Sequence, residues 1–184
     1  MKVLETSLPG VLILEPRVFG DARGLFQETW SKERYEQAGI DYPFVQDNLS
    51  FSSKGVLRGL HFQNPDQQGK LVSVVQGEVF DVAVDIRVGS PSFGQWTGIV
   101  LSGENHKQFW IPPGFAHGFC VLSDTAYFMY KCTDVYTPAA EGGICWNDPD
   151  INIQWPLTEV NLSDKDKVYP SLKEIDFRNL PQYK

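Results

Sequence analysis

The sequence is poor in cysteine, histidine and positive charge, and it has no long apolar run. Cys120, Cys132 and Cys145 are its only cysteines. An odd count without a CxxC pair argues against a disulfide framework or a zinc knuckle, and points to reduced thiols in strands. Lys and Arg number 16 against 23 Asp and Glu, giving a net charge of -7. Nucleic-acid binding needs clustered basic side chains, so no nucleic-acid partner is expected, although a small basic pocket for one diphosphate is compatible with this charge. No window approaches the roughly 20 apolar residues of a membrane-spanning helix. The apolar run in Met1–Thr6 is too short for a signal peptide. Together these features lead us to expect a cytoplasmic protein with no membrane partner. There is no GxGxxG, and Gly69-Lys70 lacks the upstream glycine and the following hydroxyl residue of a Walker loop. Internal repeats and low-complexity segments are absent as well.

What is present is β-sheet patterning. The chain has 184 residues, of which 42% are hydrophobic, enough for a packed core. That length suits one domain over residues 1–184. Val11–Leu14 reads as a first strand, and Leu25–Trp30 alternates after a turn at Phe19–Gly24. Ser31 can cap a short helix over Lys32–Ala38, with Gly39 as its stop. Further strands are expected at Val45–Phe51, Leu71–Val75, Val79–Ile86, Trp96–Leu101, Gln108–Ile111, His117–Leu122 and Thr125–Thr133. Thr137–Gly143 reads as a loop, and the tail from Thr158 as charged and proline-punctuated. About eight to ten short strands at this spacing predict an all-β sandwich or barrel.

The organising stretch is Gly55–Gln63, closed by Gly69-Lys70. It is an apolar strand that carries Arg58 and His61, with Lys70 close behind. Buried charges need partners or a task, and three basic groups in one apolar region suggest an anion site. Strict alternation would put Arg58 and His61 on opposite faces, because they are three residues apart. Gly59 lies between them, so we expect a bulge that turns both the same way.

His61 is a candidate general base, since imidazole titrates at about 6.5 when unperturbed. A lone strand histidine is more often a satisfied core histidine, and it is Arg58 and Lys70 nearby that shift the balance towards a functional one. His117 follows a Pro-Gly turn and is expected to face the same cavity as His61, whereas His106 is assigned to the surface. A metal-binding jelly roll of the cupin type would carry His-x-His. Here that element reads His61-Phe62-Gln63, and glutamine is a poor transition-metal ligand, so no metal is expected. Tyr130 can be a core aromatic or an acid, Asp166 a solvated charge, and Tyr136 and Trp146 packing aromatics.

Taken together, Val18–Gly24, Phe44–Asn48, Gly55–Gln63, Gly69–Val72, Gly77–Arg87, Trp110–Phe119, Tyr130-Lys131 and Leu162–Asp166 make the chain resemble the dTDP-4-dehydrorhamnose 3,5-epimerase family. The resemblance spans nearly the whole chain. It implies a cupin-like jelly roll with one or a few short helices, a homodimer, and no cofactor or metal. The substrate it implies is dTDP-4-dehydro-6-deoxyglucose, inverted at C3 and C5. By the same resemblance His61 matches the base and Asp166 its carboxylate partner. Tyr130 matches the acid on the opposite face of the sugar, and Lys70 the cation near the C4 oxygen. Arg23, Glu28, Gln46, Asp47, Asn48, Arg58, His117, Glu141 and Lys165 match substrate-binding positions, and Tyr136 an aromatic that stacks on thymine. In that family the partner chain supplies part of the nucleotide pocket. An enzyme acting at one carbon only, or a non-catalytic sugar-nucleotide binding module, are the alternatives.

Overall fold

The computed structural model describes residues 1–183. Its strands are β1 (Lys2–Glu5), β2 (Leu12–Glu15), β3 (Val18–Asp21), β4 (Gly24–Gln27), β5 (Gln46–Ser53), β6 (Leu57–Gln63) and β7 (Lys70–Gln76). They continue with β8 (Glu78–Asp85), β9 (Trp96–Ser102), β10 (Gln108–Ile111), β11 (Phe115–Val121), β12 (Thr125–Cys132) and β13 (Glu141–Gly143). One α-helix, α1 (Lys32–Gln37), lies between β4 and β5. A six-stranded sheet runs β1-β2-β10-β7-β12-β5, a five-stranded sheet runs β13-β6-β11-β8-β9, and β3-β4 forms a separate hairpin. This is the all-β, cupin-like sandwich that the sequence implies. Among the described residues no helix is long and apolar enough to cross a membrane.

Alternation explains the layers. On β7, Val72 and Val74 point inward. On β8, Val79 and Ala83 do so, and Phe109, Phe119 and Phe128 join them in one core between the sheets. The other face of β8 carries Val82 and Val84, buried with Leu60 and Phe62 under Ile144, Ile151, Leu172 and Leu180. The tail therefore covers the outer face of the five-stranded sheet. Tyr35 of α1 covers part of the six-stranded sheet, against Leu14, Leu71 and Trp110. Gly39 has φ +88° and ends α1, as expected of a glycine stop.

The structure departs from the sequence reading in three places. Leu25–Trp30 is strand only to Gln27, because its polar end turns off towards α1. Lys2–Glu5, read only as a terminus, is a strand paired to β2. Thr137–Gly143 is not a plain loop: after a short 3-10 turn, Glu141–Gly143 is β13, paired to β6. The glycines at 142 and 143 hid it, yet they are what let it dock. A Cβ at Gly142 would lie 2.4 Å from the Phe62 ring, and one at Gly143 would lie 2.3 Å from Tyr169.

Candidate active site

The predicted bulge is present. Between His117 and Phe119 on β11 lie two steps; between their partners His61 and Arg58 on β6 lie three. The extra residue on β6 brings Arg58 and His61 to the same face. Gly59 makes this possible. Its φ is +123°, and a Cβ there would lie 2.6 Å from Gly118 Cα and 2.7 Å from the His117 carbonyl oxygen. His61 and His117 are direct cross-strand partners and so share the inner face of the five-stranded sheet.

The His61 imidazole is anchored from outside the sheet. Asn161 donates its N–H to the Gly55 carbonyl, and its own carbonyl accepts from Leu57 N–H. That lays residue 161 alongside the start of β6 and delivers Asp166 to the His61 ring. Nε2 of His61 stands 2.6 Å from Asp166 Oδ1. With Nε2–H donating to the carboxylate, the Nδ1 lone pair is free to take a proton. Asp166 is 3% exposed, yet its carboxyl is held below the ordinary carboxylate range. Burial pushes it up, but the hydrogen bond and charge of His61 and the Ser163 hydroxyl outweigh that push. The Tyr169 ring packs edge-on against His61, with centroids 5.8 Å apart.

The opposite wall comes from the six-stranded sheet. Tyr130 on β12 packs against the core between the sheets, and burial raises its phenol above the usual value. Two residues on, Cys132 is the cross-strand partner of Lys70 on β7. Lys70 is 9% exposed, and among the described residues no hydrogen bond or ion pair engages its amine. Burial lowers its pKa, opposed by Cys132, Asp81 and Glu141. A buried amine without a partner is costly, and it suits a site whose missing partner is the substrate. Arg58 donates through Nε and Nη2 to Ser52 Oγ, at 3.2 and 3.1 Å. Gln46 and Asn48 share the inner face of β5, joined by a 3.1 Å hydrogen bond.

At the rim, the Tyr136 hydroxyl donates to Glu141 at 2.9 Å, and Lys165 Nζ donates to the other Glu141 oxygen at 2.7 Å. Tyr136 N–H also donates to Gln46 Oε1. The structure thus gathers His61, Asp166, Tyr130, Lys70, Arg58, His117, Gln46, Asn48, Tyr136, Glu141 and Lys165 around one interior. Three expected residues sit elsewhere. Asp47 alternates to the outer face and pairs with Lys131 at 2.8 Å. Arg23 and Glu28 lie on and beside the β3-β4 hairpin, where Arg23 pairs with Asp21 and Glu28 with Arg34. His106 is half-buried rather than on the surface, and its carbonyl accepts from the Gln27 side chain.

One buried group escaped the sequence reading. Asp81 is fully buried, and its two carboxylate oxygens each lie 3.0 Å from His117 Nε2. The signal is an acid at an inward position of the apolar run Val79–Ile86, which by sequence reads only as a strand. Among the described residues no cluster of three or more His, Cys, Asp or Glu side chains is placed to hold a metal ion.

A family model described as dTDP-4-dehydrorhamnose 3,5-epimerase matches residues 5–174. A dTDP-4-dehydrorhamnose 3,5-epimerase of Shigella flexneri is 59% identical over 168 residues, covering 90% of this chain and 93% of the relative. A crystal structure of dTDP-6-deoxy-D-glucose-3,5-epimerase from Legionella pneumophila, in complex with dTDP-4-keto-L-rhamnose, superposes with a TM-score of 0.98 at 56% identity. The match covers 100% of this chain and 98% of that one. A more distant structure is a 3'-monoepimerase from Streptomyces bikiniensis in complex with dTDP-quinovose, with TM-score 0.90 and 36% identity over 97% of this chain and 92% of that one.

Proposed function

The chain belongs to the dTDP-4-dehydrorhamnose 3,5-epimerase family, and on that premise we propose how its own residues perform the reaction. The protein is an isomerase that inverts C3 and C5 of dTDP-4-dehydro-6-deoxy-D-glucose, giving dTDP-4-dehydro-L-rhamnose in dTDP-L-rhamnose biosynthesis.

Both carbons flank the C4 ketone, so loss of either proton gives an enolate with charge on the ketone oxygen. His61 takes the proton at Nδ1, and Asp166 steadies the imidazolium that forms. The Lys70 ammonium faces the developing oxyanion in a dry interior, where its charge is weakly screened. Inversion needs a proton from the other side of the ring, and Tyr130 gives it from the opposite wall. The observation that carries this reading is His61 on the inner face of one sheet and Tyr130 on the other sheet, with the buried Lys70 on the strand next to Tyr130's. Arg58, Gln46, Asn48, His117, Glu141 and Lys165 bind the nucleotide sugar, and Tyr136 stacks on the thymine. Binding energy from that remote part orients the reacting ring.

We assign the partner chain a share of the site. Arg23 and Glu28 lie away from the His61 cluster of their own chain, and Phe26 on the same hairpin is 70% exposed. A homodimer in which Arg23 and Glu28 of the partner subunit close the nucleotide end accounts for both facts. Asp47 then serves through its backbone or its Lys131 pair. We also place the protein in the cytoplasm, where its three free cysteines stay reduced, and read residues 1–184 as one domain, since the tail completes the cover of the sheet.

The test is incubation with the 4-keto sugar nucleotide in D2O, followed by NMR at C3 and C5. Deuterium is expected at both carbons. Exchange at one carbon alone would make the protein a mono-epimerase, and dTDP binding without exchange would make it a binding module.

A further inference from the structure

Gln63 stands two residues after His61, where a metal-binding cupin would place a histidine ligand, and it takes no part in the proton transfers. Its side chain is 5% exposed, yet both polar atoms are engaged. Nε2 donates to the Asp66 carbonyl at 2.7 Å and to the Val135 carbonyl at 3.2 Å. Oε1 accepts from Thr137 N–H at 2.9 Å. Two carbonyls and one N–H leave the amide a single orientation. Val135 and Thr137 are the residues on either side of Tyr136.

The segment after β12 needs such a hold. Among the described residues, no backbone group of residues 134–136 bonds to another backbone group. Glutamine side chains take that place. Gln68 Nε2 donates to the Asp134 carbonyl at 2.9 Å, and Gln46 Oε1 accepts from Tyr136 N–H at 2.9 Å. Gln63 spans the residues between and beyond. Tyr136 itself is 49% exposed, so core packing does not set the position of its ring. Its hydroxyl is tied to Glu141, which the pairing of β13 with β6 places opposite Gln63. Gln63 alone of these glutamines reaches both sides of Tyr136, and it is rooted in the strand that carries His61.

We propose that Gln63 is a positioning residue for the nucleobase: its amide clamps the chain on either side of Tyr136 and holds the exposed ring ready as a platform for a pyrimidine. A ring fixed before binding loses less freedom when the nucleobase lands on it. The clamp also ties that platform to β6, so the nucleotide end of the site keeps a set distance from the His61 imidazole. Gln63 touches no substrate. It acts through Tyr136.

This inference rests on the reading of Tyr136 as the thymine platform, and the experiment separates the two. Calorimetry gives the Kd for dTDP of wild type, Gln63→Leu, Tyr136→Ala and the double variant, with kcat and KM for the 4-keto sugar nucleotide measured alongside. Tyr136→Ala that binds dTDP like wild type sinks the platform reading, and this inference with it. Given a loss there, Gln63→Leu should weaken dTDP binding about tenfold. The double variant should bind no more than about twofold more weakly than Tyr136→Ala, because the clamp acts only through the ring. KM should rise in step with Kd, while kcat stays within about threefold of wild type. Losses that multiply in the double variant, or a fall in kcat at unchanged KM, overturn the proposal. If Gln63→Leu fails to fold, Gln63→Glu decides, since it keeps the length and the acceptor for Thr137 N–H. Ionised, it sets a charged oxygen against the Asp66 and Val135 carbonyls; protonated, it can donate to one of them. Relative to wild type, its dTDP affinity should be about tenfold weaker at about pH 8 and within about threefold at about pH 5. A deficit equal at both pH values, or no deficit at all, overturns the proposal.

Discussion

Gly59 shows how much of the site hangs on one missing side chain. Its backbone takes a left-handed φ, and it faces Gly118 across the two strands, where a Cβ at Gly118 would in turn lie 2.8 Å from the Arg58 carbonyl oxygen. Gly59→Ala combines strain at positive φ with a backbone collision, so we expect a loss of about 3 kcal/mol or more, read by chemical denaturation. Gly89 has φ +89° but open space around its Cβ position. Gly89→Ala therefore carries only the strain, and the gap between the two variants isolates the collision. Ser52 is a milder case. It is buried and accepts both Arg58 donors, so Ser52→Ala frees the guanidinium without removing it. If Arg58 holds the diphosphate, KM for the sugar nucleotide should rise about fivefold to tenfold with kcat nearly unchanged, since one charge-assisted hydrogen bond is worth about 1–2 kcal/mol. An equal fall in kcat would instead tie Arg58 to the chemical step.

The elements differ in how plainly the sequence announces them. The β-branched run of β8 is legible because both its faces are buried, and β7 and the alternation of β12 because one face of each packs into the core between the sheets. Even the irregularity in β6 is legible, because Arg58 and His61 cannot otherwise share a side. The covering layer is not. Residues 144–180 look charged and broken, and their buried members Ile144, Ile151, Leu172 and Leu180 follow no strand or helix period. The segment is held by single side chains instead. Asp148 Oδ1 accepts from the N–H groups of Asp150 and Ile151, and Oδ2 accepts from Leu172 N–H at 2.7 Å. Asp166 belongs to this layer, which is why its role came from resemblance and not from any local pattern. We expect Asp148→Ala to cost about 2–3 kcal/mol, because it orphans buried backbone donors. The same variant should lower kcat well below the folded fraction, since the Asp166 segment loses its tether. Activity that tracks the folded fraction alone would show that the His61–Asp166 pair is set independently of this tie.

For the whole molecule, charge sets the acid limit and shape sets the assembly. Asp85 is fully buried, and its carboxyl is kept low: burial raises it, but Arg87, Ser90 and Ser92 outweigh that. Asp166 behaves alike. A depressed carboxylate stabilises the fold fully above its unfolded value, about 3.9, and the gain vanishes as pH falls through the lower folded value. Stability should therefore hold down to about pH 4 and drop below it, and Asp85→Asn should flatten that drop in urea titrations. Asp81 is shifted upward and does not add to this acid loss. The assembly follows from the outer face of the six-stranded sheet. Leu49 and Phe51 on β5, Val75 on β7 and Tyr127 on β12 are all exposed there, and the Phe51 ring packs at a tilt against Tyr127, centroids 4.8 Å apart. The hairpin residues Leu25 and Phe26 border the same surface, lining a groove with Ser73, Val75 and Met129. An apolar face of this kind on a net-acidic protein needs cover, and in the homodimer proposed above a second copy of the chain would supply it along with Arg23 and Glu28. Light scattering at micromolar concentration should give a mass near twice 20.8 kDa. Leu49→Glu with Phe51→Glu should give a folded monomer, because neither side chain supports its own core. In that monomer KM should rise at least about tenfold, from loss of the partner's Arg23 and Glu28. The pair His61–Asp166 lies within one chain, so exchange at saturating substrate should persist in the monomer. A wild type that is already monomeric and fully active would detach the hairpin from the site and leave Arg23 and Glu28 without a role in binding.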